Sequence, residues 1–489
     1  MNGNTLPRLV IGGIHSGGGK TTVTLGLLQA FANRKIRAMA FKCGPDYIDP
    51  LFHTRVIGLK SRNLDLFLSD GKTVLGLMRK HSEGQEIAVI EGVMGYYDGV
   101  GGKTEEAGTY DLARKTDSPA ILVADARGMS LSQAAILKGF VDFRPDSHIR
   151  GVVFNRCAPS LYPLLKQIVE ENTGLRPLGY LPNLPEAQIE SRHLGLVTAG
   201  EIENLREKLN VLAAQCEKTL DLDGILALAN TAPPFAIPPF SAPPVAISPF
   251  SASPVATFPL CLPERVTVTL SIGIADDAAF CFHYEDNYDL LRSCGAEMIP
   301  FSPLRDGRLP KDLSGLILPG GYPELYAQAL SENVSMRESI RHAIEGGMPT
   351  LAECGGFLYL HRELLDVNGK ASPMVGVIEG RAQRQGRMGH FGYATLTANK
   401  DNLLCREGES FRVHEFHYWQ SNNEGECFGA KKPVSGASWP CVHASQSLYA
   451  GFPHLYFPGQ PRLAESFAKA CTAYALKSAG EEERLCFMD

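Results

Sequence analysis

Through roughly the first 183 residues, short runs of β-branched and aliphatic residues alternate with segments whose apolar positions recur at helical spacing. The runs are RLVIGGI, IRAMAFKC, EIAVIEGV, PAILVAD, IRGVVFNRC and RPLGYLP. The helix-like segments between them include Lys20 to Asn33, Ser130 to Phe143 and Leu161 to Asn172. Continuously apolar strands flanked by amphipathic helices predict a mostly parallel sheet covered on both faces. The pattern resumes late in the chain with TVTLSIGIA, a helix over Asn287 to Ser293, and then AEMIPFSP, LSGLILPGG, MPTLAEC and FLYLHREL. A second α/β domain is expected there, with more antiparallel or irregular strand in its later part.

Between the two patterns the periodicity stops. No charged residue separates Asp223 from Glu264, and ten of the 33 residues from Thr231 to Pro263 are Pro, in a loose repeat PPFAI, PPFSA, PPVAI, SPFSA, SPVAT. Pro at this density fixes φ and removes backbone donors, so an extended polyproline-like spacer is expected. The predicted organisation is therefore residues 1–228, a linker over 229–264, and residues 265–489. The spacer is long enough for the two domains to meet within one chain or across a homodimer.

Composition narrows the functional classes. The 489 residues are 44% hydrophobic and 20% charged, enough apolar material for more than one core. A net charge of -6 gives no electrostatic reason to expect a nucleic-acid partner, so any phosphate binding must be local. No uninterrupted apolar run reaches the roughly 18 residues of a membrane span, and residues 1–8 hold a single basic residue, so a cytoplasmic protein is expected. Twelve Cys without CxxC pairs read as free thiols in a reducing compartment.

The first chemical signal follows the first strand. Gly12-Gly13-Ile14-His15-Ser16-Gly17-Gly18-Gly19-Lys20-Thr21-Thr22 leads directly into an amphipathic helix. Glycines let the backbone curl so that its N–H groups and the positive helix end face a polyphosphate; Lys20 adds a mobile charge, and Thr21 is placed to reach Mg²⁺. Five residues rather than four separate Gly13 from Gly19, a spacing that resembles the dethiobiotin synthetase-like branch of P-loop enzymes. Further strand ends carry KCGPDYIDP and EGVMGYYDG, so Asp46, Asp49, Glu91 and Asp98 fall at the carboxyl edge of the sheet, where ligands of open α/β folds sit. Carboxylates near bound phosphates suit Mg²⁺. The plainer alternative makes Asp46 and Asp98 turn formers.

The second signal is a strand, Met348 to Glu353, running into Cys354-Gly355-Gly356 with a helix from Phe357. Such an elbow exposes a nucleophile, and the helix N-terminus is expected to lower the thiol pKa. Upstream, LILPGGY ends a strand in Gly320-Gly321, whose N–H groups are candidates for an oxyanion hole. A thiolate needs a histidine, and His414, His417, His443 and His454 are candidates that spacing alone does not separate. His414-Glu415-Phe416-His417 can be read as a metal pair, though its strand-like context favours a sheet-edge surface.

A phosphate-activating domain joined to a thiol amidotransferase domain suggests ammonia released from glutamine and used on a carboxylate activated by ATP. GGGKTT, KCGPDYIDP, EGVMGYYDG, SRHLGL at Ser191 to Leu196, PGGYPE, AECGGF and HEFHYW, in this order, resemble the cobyrinate a,c-diamide synthase family across nearly the whole chain outside the spacer. That resemblance implies a class I glutaminase domain whose histidine is His454, in Gly451-Phe452-Pro453-His454-Leu455-Tyr456-Phe457. No His-Pro-Glu follows, which leaves the third, acidic member of the triad unassigned. It also implies that Lys20, Thr21, Glu91, Asp46 and Asp49 serve phosphorylation of the a and c carboxylates of a corrin-type tetrapyrrole. Asp98 would then orient the macrocycle carboxylate or the ammonia attack, and Tyr47 and Ile48 would place the substrate arm. Related enzymes act on nickel-sirohydrochlorin or siroheme, and a non-catalytic nucleotide-binding regulator is the alternative from another class.

Overall fold

A computed structural model of the chain describes residues 6–187, 199–234, 270–386 and 389–486. The SRHLGL run and nearly all of the Pro-rich spacer lie outside the described residues. The chain divides into two compact units, residues up to 240 and residues from 241 on.

The first unit is built on the apolar runs. Its elements are β1 (Arg8–Gly13), α1 (Lys20–Asn33), β2 (Ala38–Cys43), α2 (Ile48–Phe52), β3 (Ser61–Leu64), α3 (Gly71–His81), β4 (Ile87–Glu91), α4 (Thr109–Lys115), β5 (Ala120–Asp125), α5 (Leu131–Asp142), β6 (Ile149–Asn155), α6 (Tyr162–Asn172), β7 (Arg176–Tyr180), α7 (Ala199–Thr219) and α8 (Leu222–Ala229). Seven strands form one sheet in the order β3-β2-β4-β1-β5-β6-β7, parallel throughout. Every residue of β1, β2 and β4 is buried, which is why these strands read as continuous apolar runs and not as alternating ones. Strand β3 was not among the expected strands: SRNL is short and polar, and only its edge pairing with β2 makes it a strand. On one face Leu27, Leu28 and Phe31 of α1 and Leu209, Leu212 and Ala213 of α7 close over Leu9, Ile11 and Val89. The last helix ends at Ala229 and Ala232 beyond it is still buried, so packed structure runs slightly past residue 228.

The second unit begins with β8 (Leu270–Ala275), β9 (Phe280–Phe282), α9 (Glu285–Ser293), β10 (Ala296–Phe301), β11 (Gly315–Leu318), β12 (Gly320–Gly321), α10 (Ala327–Glu332), α11 (Val334–Glu345), β13 (Thr350–Glu353) and α12 (Gly355–Leu360). Then come β14 (His361–Leu365), β15 (Ala371–Pro373), β16 (Ile378–Arg384), β17 (Gly392–Ala398), β18 (Ser410–Glu415), β19 (Trp419–Ser421), β20 (Phe428–Lys431), β21 (Ser438–Cys441), β22 (His443–Ala444), β23 (Leu448–Gly451) and α13 (Pro461–Cys486). The main sheet runs β10-β8-β11-β13-β23-β22, parallel except for β22. Two four-stranded sheets, β15-β14-β16-β19 and the antiparallel β18-β17-β20-β21, supply the later, less regular part. The FLYLHREL segment divides, helix to Leu360 and strand from His361. A buried His361, bonded to Phe357 O at 2.9 Å and Ser421 Oγ at 2.7 Å, marks the change.

Among the described residues no helix is long and apolar enough to cross a membrane. Ten cysteines are buried, and none of these ten forms a disulfide among the described residues.

Candidate functional site

In the first unit the glycine-rich loop leaves the middle of the sheet, since β1 lies between β4 and β5. Gly19 adopts φ 101°, and a Cβ there would lie 1.9 Å from Asn155 Nδ2, so only glycine fits both the backbone and the space. The end of β6 braces the loop: Asn155 Nδ2 donates to Gly18 O at 3.1 Å, and Arg156, ion-paired to Asp125 at 2.7 Å, donates to Gly17 O at 3.3 Å. With two carbonyls held outward, the N–H groups of the loop are left for an anion. Lys20 is buried, and its Nζ donates to the carbonyls of Met94 and His15. Burial first, and then the charge of Lys42, lower its pKa.

Beside it, Thr21 Oγ1 donates to Glu91 Oε1 at 2.6 Å. Lys42, which the sequence reading passed over inside KCGPDYIDP, joins two of the acidic residues: its Nζ lies 2.5 Å from Asp49 and 3.0 Å from Glu91. Burial opposes the Lys42 charge, but these carboxylates outweigh it and hold the pKa well above 10.5. Burial and then the charge of Asp49 raise both Asp46 and Glu91, while in Asp49 the Lys42 charge overcomes burial and lowers the pKa. Buried His53, with Nε2 3.7 Å from Glu91 Oε2, has its pKa pushed down to about 4 by burial and adds no charge at neutral pH. The donor set is hard oxygen, with Thr21, Asp46, Asp49 and Glu91 at one strand edge: the residues fit Mg²⁺, which needs one or two carboxylates and completes its shell with water and phosphate.

Two expectations for this edge change. Asp98 is exposed and stands outside the Lys42 cluster; its Oδ2 accepts from Gly95 N at 2.9 Å, closing the turn after Glu91. Asp46 also closes its own turn, accepting from Ile48 N at 2.8 Å. Tyr47 is buried and Ile48 packs against the core, so both support the loop from inside instead of offering an open surface. Their short spacing after Pro45 folds into α2, and that helix turns the pair inward.

In the second unit Cys354 sits on the expected elbow, with φ 46° and ψ -100° between β13 and α12. A bond from Cys354 N to Gly451 O at 2.8 Å ties the elbow to the end of β23, three residues before His454. A Cβ on Gly355 would lie 2.8 Å from Gly321 N, and one on Gly320 would lie 2.8 Å from His454 Cε1. Cys354, His454, Gly320 and Gly321 are therefore gathered at one point, which spacing could not decide among the four histidines. His414 lends its carbonyl to His454 N at 2.9 Å; its own ring is buried, and its pKa is lowered by burial to about 3. His417 stacks on Phe452 with ring centroids 3.7 Å apart and bonds Trp419 O at 2.6 Å, so the His-Glu-Phe-His run is spent on packing. His443 bonds Asn423 O at 3.1 Å.

The thiol differs from expectation. α12 is only six residues long and Cys354 is buried, so burial first, and the charge of Glu324 second, push the thiol pKa well above 9.0 against the opposing Gly355 N–H. The Sγ–H donates to Phe416 O at 3.8 Å. A thiol so raised needs a base to take its proton as sulfur attacks.

Two acidic residues here escaped the sequence reading although both lie inside the quoted motifs. Glu353, directly before the nucleophile, reaches His454 Nδ1 at 3.3 Å. Glu324 of PGGYPE is buried, and burial pushes its pKa up to about 7 from an ordinary 4.5. Between those two values the folded protein holds a proton that the unfolded chain lacks, so this group favours folding at acid pH and the benefit is lost as pH rises through 7. Glu324→Gln is therefore expected to be more stable than the parent at pH 8, by up to about 3 kcal/mol, with the difference vanishing below about pH 4.5. Denaturant melts at the two pH values check this.

A nucleotide-binding loop on one parallel sheet and a cysteine elbow with its histidine on another define a glutamine-dependent amide-forming ligase. Residues 9–197 match the CobQ/CobB/MinD/ParA nucleotide binding domain, and residues 271–460 match the CobB/CobQ-like glutamine amidotransferase domain. A cobyrinate a,c-diamide synthase of Priestia megaterium is 36% identical over 471 residues, covering 95% of this chain and 97% of that one. One from Thermoplasma volcanium is 37% identical over 477 residues, covering 96% and 99%. A third, from Listeria innocua, is 37% identical over 462 residues, covering 93% and 97%. The chain belongs to the cobyrinate a,c-diamide synthase family.

Proposed function

We propose that the chain converts the a and c side-chain carboxylates of cobyrinate to amides in cobalamin biosynthesis, consuming ATP and taking ammonia from glutamine. One observation carries the reading: a braced P-loop with its acidic edge and a cysteine elbow with its histidine are both intact in a chain that matches its relatives over nearly their full length.

A carboxylate is a poor acyl donor because its leaving group would be oxide. In the first unit a carboxylate oxygen attacks the γ-phosphorus of ATP, the bond to the bridging oxygen breaks, and ADP leaves, giving an acyl phosphate. The amides of Gly17, Gly18 and Gly19 and the charge of Lys20 hold the phosphates in line, with Thr22 following at the helix start. Thr21 together with Glu91, Asp49 and Asp46 would hold Mg²⁺, which when bound offsets charge on the phosphate oxygens. Lys42 ties Asp49 and Glu91 together through its Nζ and offsets their charge. Asp98, at the exposed turn after Glu91, would orient the macrocycle carboxylate or the attacking ammonia, and Tyr47 and Ile48 would stiffen the segment that positions Asp46 and Asp49.

In the second unit the Cys354 thiol gives its proton to His454 as sulfur attacks the side-chain amide of glutamine. The oxyanion is met by backbone N–H groups at Gly320 and Gly321, and the imidazolium returns the proton to the departing ammonia. Water then releases glutamate from the thioester. Ammonia attacks the acyl phosphate, and phosphate departs with one oxygen of the original carboxylate.

That last point supplies the test. With cobyrinate labelled by heavy oxygen in its carboxylates, one labelled oxygen per amide formed is expected in inorganic phosphate. Label-free phosphate would overturn the acyl-phosphate route.

A further inference from the structure

The class I thiol chemistry proposed above leaves one role unfilled. After His454 the next acidic residue in sequence is Glu465, and Tyr456 stands two positions on. Glu353 closes β13, paired with Gly451 of β23, and so faces the segment that carries His454. Each of its carboxylate oxygens meets that segment: Oε2 lies 3.3 Å from His454 Nδ1, and Oε1 accepts from Leu455 N at 3.3 Å. His454 is 1% exposed and the Glu353 side chain 13%, so the pair is largely shielded from water. The phenols of Tyr288 and Tyr449, raised first by burial, are raised next by the Glu353 charge, which puts both rings around the carboxylate.

We infer that Glu353 is the positioning acid of the thiol site, supplied by the residue directly before the nucleophile and not by one that follows the histidine. The assignment rests on Cys354 and His454 forming the glutaminase pair. A carboxylate only accepts, so its contact fixes the tautomer with the proton on Nδ1 and gives Nε2 the lone pair that takes the thiol proton. As the thiol proton moves to His454 an imidazolium forms, and a largely buried carboxylate on its far side stabilises that charge more than an exposed one would. Placing acid and nucleophile on adjacent residues of one elbow also couples their positions through a single peptide.

The fold does not depend on this contact alone. His454 N is held by His414 O at 2.9 Å, and Asn287 bonds Leu455 O at 2.8 Å and Phe457 N at 2.7 Å. Glu353→Gln, which removes the charge and keeps the shape, should therefore fold and should still use free ammonia.

The experiment measures glutamine hydrolysis and ammonia-driven amidation in the full chain for Glu353→Gln, Glu353→Asp and Cys354→Ala. For Glu353→Gln the expected result is a fall in glutaminase kcat on the order of 100-fold with KM changed less than about twofold, while ammonia-driven amidation holds its rate. Glu353→Asp should recover part of the lost kcat. An unchanged kcat in Glu353→Gln overturns the assignment, as does a parallel loss of ammonia-driven amidation, which would mark a purely structural role. Persistent hydrolysis in Cys354→Ala would overturn the thiol site itself, and the role of Glu353 with it.

Discussion

Cys354→Ala is expected to lose glutamine-driven amidation by roughly three orders of magnitude or more, the scale seen when a nucleophile that acts as a unit with its base is removed. Amidation with ammonium salts should continue at the parental rate. The separation follows from the architecture: the elbow is anchored within its own unit, by Gly451 O and by the packing of Phe357 and Leu358, and the phosphate site lies in the other unit. Removing one buried sulfur atom leaves only a small cavity and costs little stability beside the loss of chemistry. Glutamate release and amide formation, followed together with each nitrogen source, check it. Hydrolysis at the parental rate in this variant would place the nucleophile elsewhere.

Lys20→Ala gives the complementary result. Amidation should fall on the order of 1,000-fold with glutamine and with ammonia alike, because both depend on phosphoryl transfer and a cation aimed at the transferring group is worth several kcal/mol there. Glutamine hydrolysis should persist. In the resting protein Lys20 is parked on the carbonyls of Met94 and His15, so among the described residues the truncation deletes no ion pair and the variant should fold. Amidation that survived in Lys20→Ala would detach the glycine-rich loop from catalysis.

How legible these sites were depended on whether each feature was local in sequence. Strands buried on both faces announce themselves as apolar runs, so β1, β2, β4, β5 and β6 were readable, and so was helix α1 over Lys20–Asn33. The short polar β3 was not, since only pairing to β2 creates it. Loop and elbow were legible because their glycines answer steric needs that sequence exposes, as at Gly19 beside Asn155. What sequence hid was partnership across the fold. Lys42 looked like the end of a strand until Asp49 and Glu91 closed on it, and Asp98, expected beside the γ-phosphate with those acids, stands outside their cluster on its own turn. The thiol pKa is pushed up and not down because burial, which no local pattern reports, outweighs the Gly355 N–H at the elbow. Glu353 was hidden because its register partner Gly451 lies about a hundred residues away in the chain.

The most direct measurement is product mass spectrometry of the purified protein supplied with ATP, Mg²⁺ and amide-nitrogen-labelled glutamine, offered cobyrinate, nickel-sirohydrochlorin and siroheme separately. Two carboxylates of cobyrinate should be exchanged for amides carrying the labelled nitrogen, with the other two tetrapyrroles unchanged. Conversion of another tetrapyrrole in preference to cobyrinate would contradict the substrate, and conversion of none, with nucleotide still bound, would contradict the enzyme and favour a nucleotide-binding regulator.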